Sequence, residues 1–173
     1  MLKTELMNTQ FWDQFDWFWN KILVKHSFNN PYTGGLGSYS LFLMLYTATK
    51  IEEMNKFDSF RSEDTLSARL FTWFLNMFGE YFDYETMAIM FVQGYIPMTF
   101  PKIYWGIDPT QNPKVLWVFD PYKANNNTTQ KAFKFDEIRK LFAEIKQIML
   151  KEYQQIYQLF EYAETMTILD KII

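Results

Sequence analysis

Asn30-Pro31-Tyr32-Thr33-Gly34-Gly35-Leu36-Gly37-Ser38-Tyr39-Ser40 decides how this chain is read. Asn-Pro and the paired glycines mark a turn-rich loop. The apolar run Leu41-Phe42-Leu43-Met44-Leu45-Tyr46 behind it marks a central buried helix, expected from Ser38 to about Lys56. A glycine loop opening into a helix aims backbone N–H groups, a hydroxyl and an aromatic face at one place. That chemistry suits a phosphate and a base.

Upstream, Phe11, Phe15, Phe18, Ile22 and Lys25 recur at helical spacing, with Trp12 and Trp19 beside them, and predict a helix over Thr9 to Lys25. Asn29-Asn30-Pro31 reads as its stop, because the residue before proline avoids the α region. Downstream, Asp58 to Glu63 is a polar connection, and Ser62 or Asp64 is a candidate cap. Leu66, Leu70, Trp73, Phe74 and Met77 predict a third helix to about Phe78, stopped by Gly79. Tyr84 to Val92 reads as a short fourth helix closed by Gly94 and Pro97.

The period then changes. Ile103 to Ile107 and Val115 to Phe119 are β-branched and aromatic, and the turn formers Asp108 to Lys114 lie between them, so a hairpin is expected. Lys123 to Lys131 is a polar loop rich in Asn and Thr. A long amphipathic helix starts near Phe135-Asp136 and carries Ile138, Leu141, Phe142, Ile145, Ile148 and Met149; it either runs beyond its own domain or breaks near Glu161. The expected fold class is mainly α (α+β), a single helical domain of about five helices with one small β-hairpin. Its end, about 161–173, is expected to extend to a partner.

Composition narrows the chemistry. The 173 residues are 49% hydrophobic and 20% aromatic, enough for a real core and unlike a disordered segment. A net charge of −3 argues against a broad nucleic-acid face, so contact with RNA is expected to be local. Cysteine is absent, which excludes disulfides, thiolate catalysis and thiolate zinc sites. The single histidine, His26, cannot build a multi-histidine metal site, and no Gly-x-Ser-x-Gly elbow accompanies it. No uncharged apolar run of about 18 residues exists, so no membrane span is expected. Met1 to Gln10 reads neither as a secretory signal nor as an Arg-rich transit peptide. The expected location is intracellular, with cytoplasm and mitochondrion not distinguished.

The order of these pieces resembles the helical (central, PAP-associated) domain of non-canonical poly(A) polymerases and terminal uridylyltransferases. The resemblance begins at Ile22-Leu23-Val24-Lys25 and is most specific at Pro31 to Tyr39, where the family reads Pro-Tyr-x-Gly-x-Leu-Ser-Ser-Tyr. Leu66 to Phe82 with Asp83-Tyr84-Glu85 resembles the family's Phe-x-x-Tyr-Gly-x-x-Phe-Asp-Tyr region. Asp120-Pro121-Tyr122 and the Asn-rich loop behind it resemble the nucleotide-recognition loop, usually Asp-Pro-Phe followed by Asn-Val-Gly-Arg. The match extends to about Ile148.

The resemblance implies a nucleotide-binding half-site. Tyr39 matches the aromatic that stacks on the base, and Ser38 the hydroxyl that touches the triphosphate. Lys21 and Lys25, one helical turn apart, match a phosphate-facing lysine pair. Asp120 and Asn126 match positions that read the base edge. Three departures stand out: Gln130 replaces the family's arginine, Thr128-Thr129 its Val-Gly, and Gly37 one serine of its Ser-Ser-Tyr. Each of these residues also has a plain alternative, as a packed aromatic, a solvated charge, a strand end or a surface loop.

In that family a palm with three acidic residues holds two Mg²⁺ for phosphoryl transfer. No Gly-Ser loop followed by Asp-x-Asp on a strand occurs here, and Asp13 and Asp16 sit on a helix. No catalytic residue, metal site or cofactor is therefore expected on this chain. UTP or ATP with Mg²⁺ would enter only with a palm supplied by a partner. Two roles follow: a structural or interaction subunit of an RNA-processing or ribonucleoprotein complex, with protein partners, or the nucleotide-binding half of a split terminal uridylyl- or adenylyltransferase.

Overall fold

The computed structural model describes residues 9–54, 66–93, 95–106, 115–123 and 125–169. The connection Asp58 to Glu63, the caps Ser62 and Asp64, and the turn Asp108 to Lys114 lie outside them.

Helix α1 spans Thr9–Lys25. It buries Phe15, Trp19 and Leu23 at successive intervals of four, so the centre of its stripe is Trp19 rather than Phe18 and Ile22, which lie half-buried beside it. Trp19 stacks on Phe71 at 5.4 Å and 23° and meets Phe142 edge-on at 4.8 Å. The helix does not wait for Asn29-Asn30-Pro31 to stop it. Ser27 turns left-handed at φ 59, its N–H reaches the Val24 carbonyl at 3.0 Å, and the Phe28 N–H reaches Leu23 at 2.7 Å. This is a Schellman stop with serine where glycine is usual.

Helix α2 spans Ser38–Met54, and Leu41 through Thr49 are buried apart from half-buried Phe42, as expected of a central helix. Helix α3 spans Leu66–Asn76 and continues as a wide π-type turn, Met77–Tyr81. Gly79 is not its stop. A Cβ there would meet the Ala143 backbone N at 3.1 Å, so the missing side chain lets the turn close on α4. Helix α4 spans Phe135–Leu169 with no break near Glu161. Its Arg139 donates to the carbonyls of Gly79 at 3.1 Å and Glu80 at 2.6 Å, and Lys146 pairs with Glu80 at 2.6 Å.

The hairpin is elsewhere than expected. Strands β1, Met87–Val92, and β2, Ile96–Pro101, pair antiparallel from Met87↔Pro101 to Val92↔Ile96. Tyr84–Val92 is thus extended rather than helical, which leaves four α-helices among the described residues rather than about five. Ile89 and Val92 are β-branched and Phe91 aromatic, and β1 gains backbone partners on both sides. Ile89 donates to Trp117 at 2.8 Å and accepts from Phe119 at 2.9 Å, with a parallel bridge to Val118. Val115–Phe119 therefore runs beside β1, and Lys102–Trp105 is a 3-10 turn instead of its partner strand. Pro97 and Pro101 sit on β2, which has β1 on one side only, where a missing N–H is tolerated.

Lys102 ties this corner together. It is fully buried, and its Nζ donates to the carbonyls of Tyr84 at 2.7 Å and Val115 at 2.8 Å. Burial lowers its pKa from 10.5 to about 8, against the opposing pull of Asp83 and Glu85.

Candidate functional site

The glycine loop is built from Asn30. Its side chain accepts the Tyr32 N–H at 2.9 Å, and its carbonyl accepts from Thr33 at 3.1 Å and Gly35 at 2.9 Å, shaping a 3-10 turn at Pro31–Thr33. Gly34 is left-handed at φ 93 and lies under the Phe133 ring, where a Cβ would approach to 2.5 Å. At Gly35 a Cβ would fall 2.1 Å from the Phe28 carbonyl oxygen, so the close approach requires glycine. The N–H groups of Thr33, Gly34, Gly35 and Leu36 are all taken up by carbonyls of Asn30, Pro31 and Phe28. Those four N–H groups are thus not offered to a phosphate, and Gly34 and Gly35 serve packing against the chain itself.

What the loop delivers is Tyr39. Its hydroxyl donates to Asp120 Oδ1 at 3.2 Å while the residue as a whole stays 45% exposed. The Asp120 carboxylate also accepts the Tyr122 N–H at 2.8 Å and the Asn126 amide at 3.2 Å. Burial alone would raise the carboxyl, but these donors outweigh it and hold Asp120 below the ordinary carboxylate range. Tyr39 moves the other way, pushed up to about 12 by burial first and then by the negative charge of Asp120. The pair therefore stays a neutral phenol donating to a carboxylate across the neutral pH range. Because a carboxylate only accepts, Asn126 must turn its Nδ2 toward Asp120, which leaves its Oδ1 as a free-facing acceptor.

The loop carrying Asn126 is fixed from beneath. Asn127 and Thr129 are buried. Asn127 Oδ1 accepts from the Val118 N–H at 3.1 Å and the Thr129 N–H at 3.0 Å, and Thr129 Oγ1 lies 2.6 Å from the Leu116 carbonyl. Ser40, on the first turn of α2, donates to the Thr128 carbonyl at 2.8 Å and locks loop and helix together. The polar stretch Lys123 to Lys131 thus sends Asn127 and Thr129 into the core, which its composition does not reveal.

No family model matches the chain. It is 32% identical over 116 residues to Poly(A) RNA polymerase protein 2 of Saccharomyces cerevisiae, a match covering 66% of this chain and 20% of that protein. It is 27% identical over 124 residues to Poly(A) RNA polymerase protein 1 of the same yeast, covering 71% of this chain and 19% of that protein. Among solved structures, the polymerase core of TRAMP, an RNA surveillance complex, superposes with a TM-score of 0.62 at 28% identity, covering 76% of this chain and 41% of that one. The chain carries a non-canonical poly(A) polymerase-like domain. It spans about a fifth of the length of the curated relatives it matches.

Within this poly(A) polymerase-like domain the expected site residues divide. Tyr39, Asp120 and Asn126 are joined by hydrogen bonds, and Ser38 precedes Tyr39 at the exposed start of α2. Gln130 is exposed on the loop that carries Asn126. Lys21 and Lys25 are exposed one turn apart on α1 and make no hydrogen bond or ion pair with the Tyr39–Asp120 group. Ser40, Asn127 and Thr129 support the site without having been expected there; Ser40, the second serine of the quoted loop, is the one local signal. Among the described residues no cluster of His, Asp or Glu is arranged to hold a metal ion, and no helix is long and apolar enough to cross a membrane.

Proposed function

We propose that this domain is the base-holding half of an RNA terminal nucleotidyltransferase. Tyr39 offers its ring as a stacking platform for the base of UTP or ATP, and Asn126 Oδ1 accepts from a base-edge N–H. Asp120 positions both. The observation that carries this reading is the Tyr39–Asp120–Asn126 constellation, in which an exposed ring and an open acceptor are held side by side. Lys21, Lys25 and Ser38 are assigned to the triphosphate side by family resemblance, and Gln130 stands where the family's recognition loop ends in arginine. Mg²⁺ for the transfer step would come with an acidic palm of the kind the family carries, supplied by a partner. By analogy with the relatives, the setting is poly(A) addition or RNA surveillance within a protein complex.

A second reading has its own support. The N–H groups of Thr33, Gly34, Gly35 and Leu36 are internally bonded, and several large aromatics are exposed, Tyr32, Tyr81 and Tyr104 among them. Both fit a subunit that kept the fold for protein or RNA contacts without nucleotide binding.

Calorimetric titration with UTP and ATP separates the two. Saturable binding that weakens about tenfold or more in Tyr39→Ala, the loss of one stacking contact, supports the first reading. Absence of binding by the folded wild-type chain leaves the second.

A further inference from the structure

We infer that the outer face of the β1–β2 hairpin binds a second copy of this chain, sheet against sheet, in a weak two-fold dimer. This goes beyond the nucleotide-binding reading and does not require it.

The two faces of the hairpin are told apart by their neighbours. Ile89 and Val118 lie side by side in the core, and Phe91, on the same face, meets Tyr46 of α2 at 6.1 Å. The opposite face carries the cross-strand pairs Ala88↔Phe100, Met90↔Met98 and Val92↔Ile96, none of which belongs to the core cluster. Phe119 continues this face and meets both Trp105 and Trp117 at 5.7 Å. An antiparallel sheet ordinarily turns polar side chains to water on its second face. Here all six paired positions are apolar, and Val92 and Met98 are exposed.

The open edge of β2 narrows what can cover it. Ile89 exchanges its backbone bonds with Trp117 and Phe119, so Ala88, Met90 and Val92 are the β1 residues bonded to β2. Pro97, Thr99 and Pro101 therefore turn their backbone outward, and Thr99 alone offers an N–H there. Prolines at these positions close the edge to an added strand, which excludes an extended peptide. A face remains, and a second sheet is what packs on a sheet face.

Charge points to a copy of the same chain. From Met87 to Trp105 the only charged residue is Lys102, which is buried, and Val115 to Phe119 has none. Two molecules of net charge −3 repel on approach, and here they meet without setting like charges opposite each other. A two-fold contact needs a surface complementary to itself, which an uncharged face with adaptable methionines provides. A foreign partner would find no charge to select it by. Tyr95 at one end of β2 and Ile103, Tyr104 and Trp105 at the other enlarge the exposed apolar surface. The total is on the order of 600 Å², below the ~800 Å² of a standard partner, so dissociation in the micromolar range is expected.

Sedimentation velocity on the whole chain from about 1 to about 100 µM tests this, with the mass expected to rise from 21.0 kDa toward twice that value. Met98→Glu and Val92→Glu, both at exposed positions, each set two carboxylates across the two-fold axis and weaken the dimer at least about tenfold. Circular dichroism of these variants stays at the wild-type signal. Thr99→Pro removes the last outward N–H and leaves the dimer intact. UTP titration of the glutamate variants matches wild type, because Tyr39 belongs to α2, which packs on the other face; Tyr39→Ala leaves the dimer unchanged, so the two readings fail independently. A mass that stays at 21.0 kDa throughout overturns the inference and gives the face to a different protein. So does a dimer indifferent to both glutamates, or one lost only in Thr99→Pro, which would place the contact at the edge.

Discussion

The hydroxyl of Tyr39 reaches Asp120 Oδ1 across 3.2 Å and joins residues 81 positions apart in the chain. One end of the pair is the first turn of α2; the other opens the loop that presents Asn126. Ring orientation, carboxylate ionisation and the direction of the Asn126 amide all follow from this contact. It makes the start of α2 and the Asn-rich loop a single unit.

Separating ring from hydroxyl at Tyr39 is the first check. Tyr39→Phe keeps the stacking face and removes one hydrogen bond to a charged partner, so stability falls by ~1 kcal/mol with the ring platform retained. Tyr39→Ala removes both, and nucleotide affinity falls by ~1–3 kcal/mol. Calorimetry on the two variants beside wild type reads the split. Equal losses in both would mean that the hydroxyl, not the ring, matters.

The loop beneath Asn126 depends on a buried amide. Asn127→Ala leaves the Val118 N–H without one of its acceptors and the Thr129 N–H unpaired, costing ~2 kcal/mol. The exposed neighbour Asn125→Ala changes stability by no more than ~0.5 kcal/mol. Urea unfolding of both variants makes the comparison, and hydrogen exchange at Val118 should accelerate only in the first.

Gly35 carries the steric case. A methyl group there meets the Phe28 carbonyl oxygen, which is anchored by the Leu36 N–H at 2.8 Å and has little room to yield. Gly35→Ala is expected to destabilise by on the order of 3 kcal/mol, visible as a lowered thermal midpoint. Gly106→Ala meets no atom within 4 Å but sits at φ 68, so it incurs only the smaller cost of a left-handed backbone.

Lys102 gives stability an alkaline dependence. Its pKa is 10.5 when unfolded and about 8 when folded. Between these values the unfolded chain holds a proton that the folded one has released, so stability rises with pH by up to ~3 kcal/mol. The neutral amine keeps N–H groups for both carbonyls, so the tether survives. Tyr39 acts in the opposite sense: its contribution is complete below pH 10 and declines as pH rises toward about 12. Chemical unfolding followed from pH 7 to 10 should show the rise in wild type and its loss in Lys102→Met. A rise that persists in that variant would assign it to another group.

Sequence alone determined the helical frame, the ends of α1, the start of α2 and the onset of α4 at Phe135, because helix periodicity and turn residues are local signals. It also placed Tyr39, Asp120 and Asn126 as one candidate group through the resemblance of ordered motifs. The strands were not legible. Nothing local tells Met87–Val92 that Val118, far along the chain, will be its neighbour, and a short apolar run has no period that separates strand from helix. The use of the glycines was equally hidden, since a loop that cradles a phosphate and one that packs against Phe28 and Phe133 are written with the same residues. Tertiary structure decided which polar groups are buried (Lys102, Asn127, Thr129) and which aromatics stay in water. Burial depends on which distant segment lies on top, and that is set only when the chain has closed on itself.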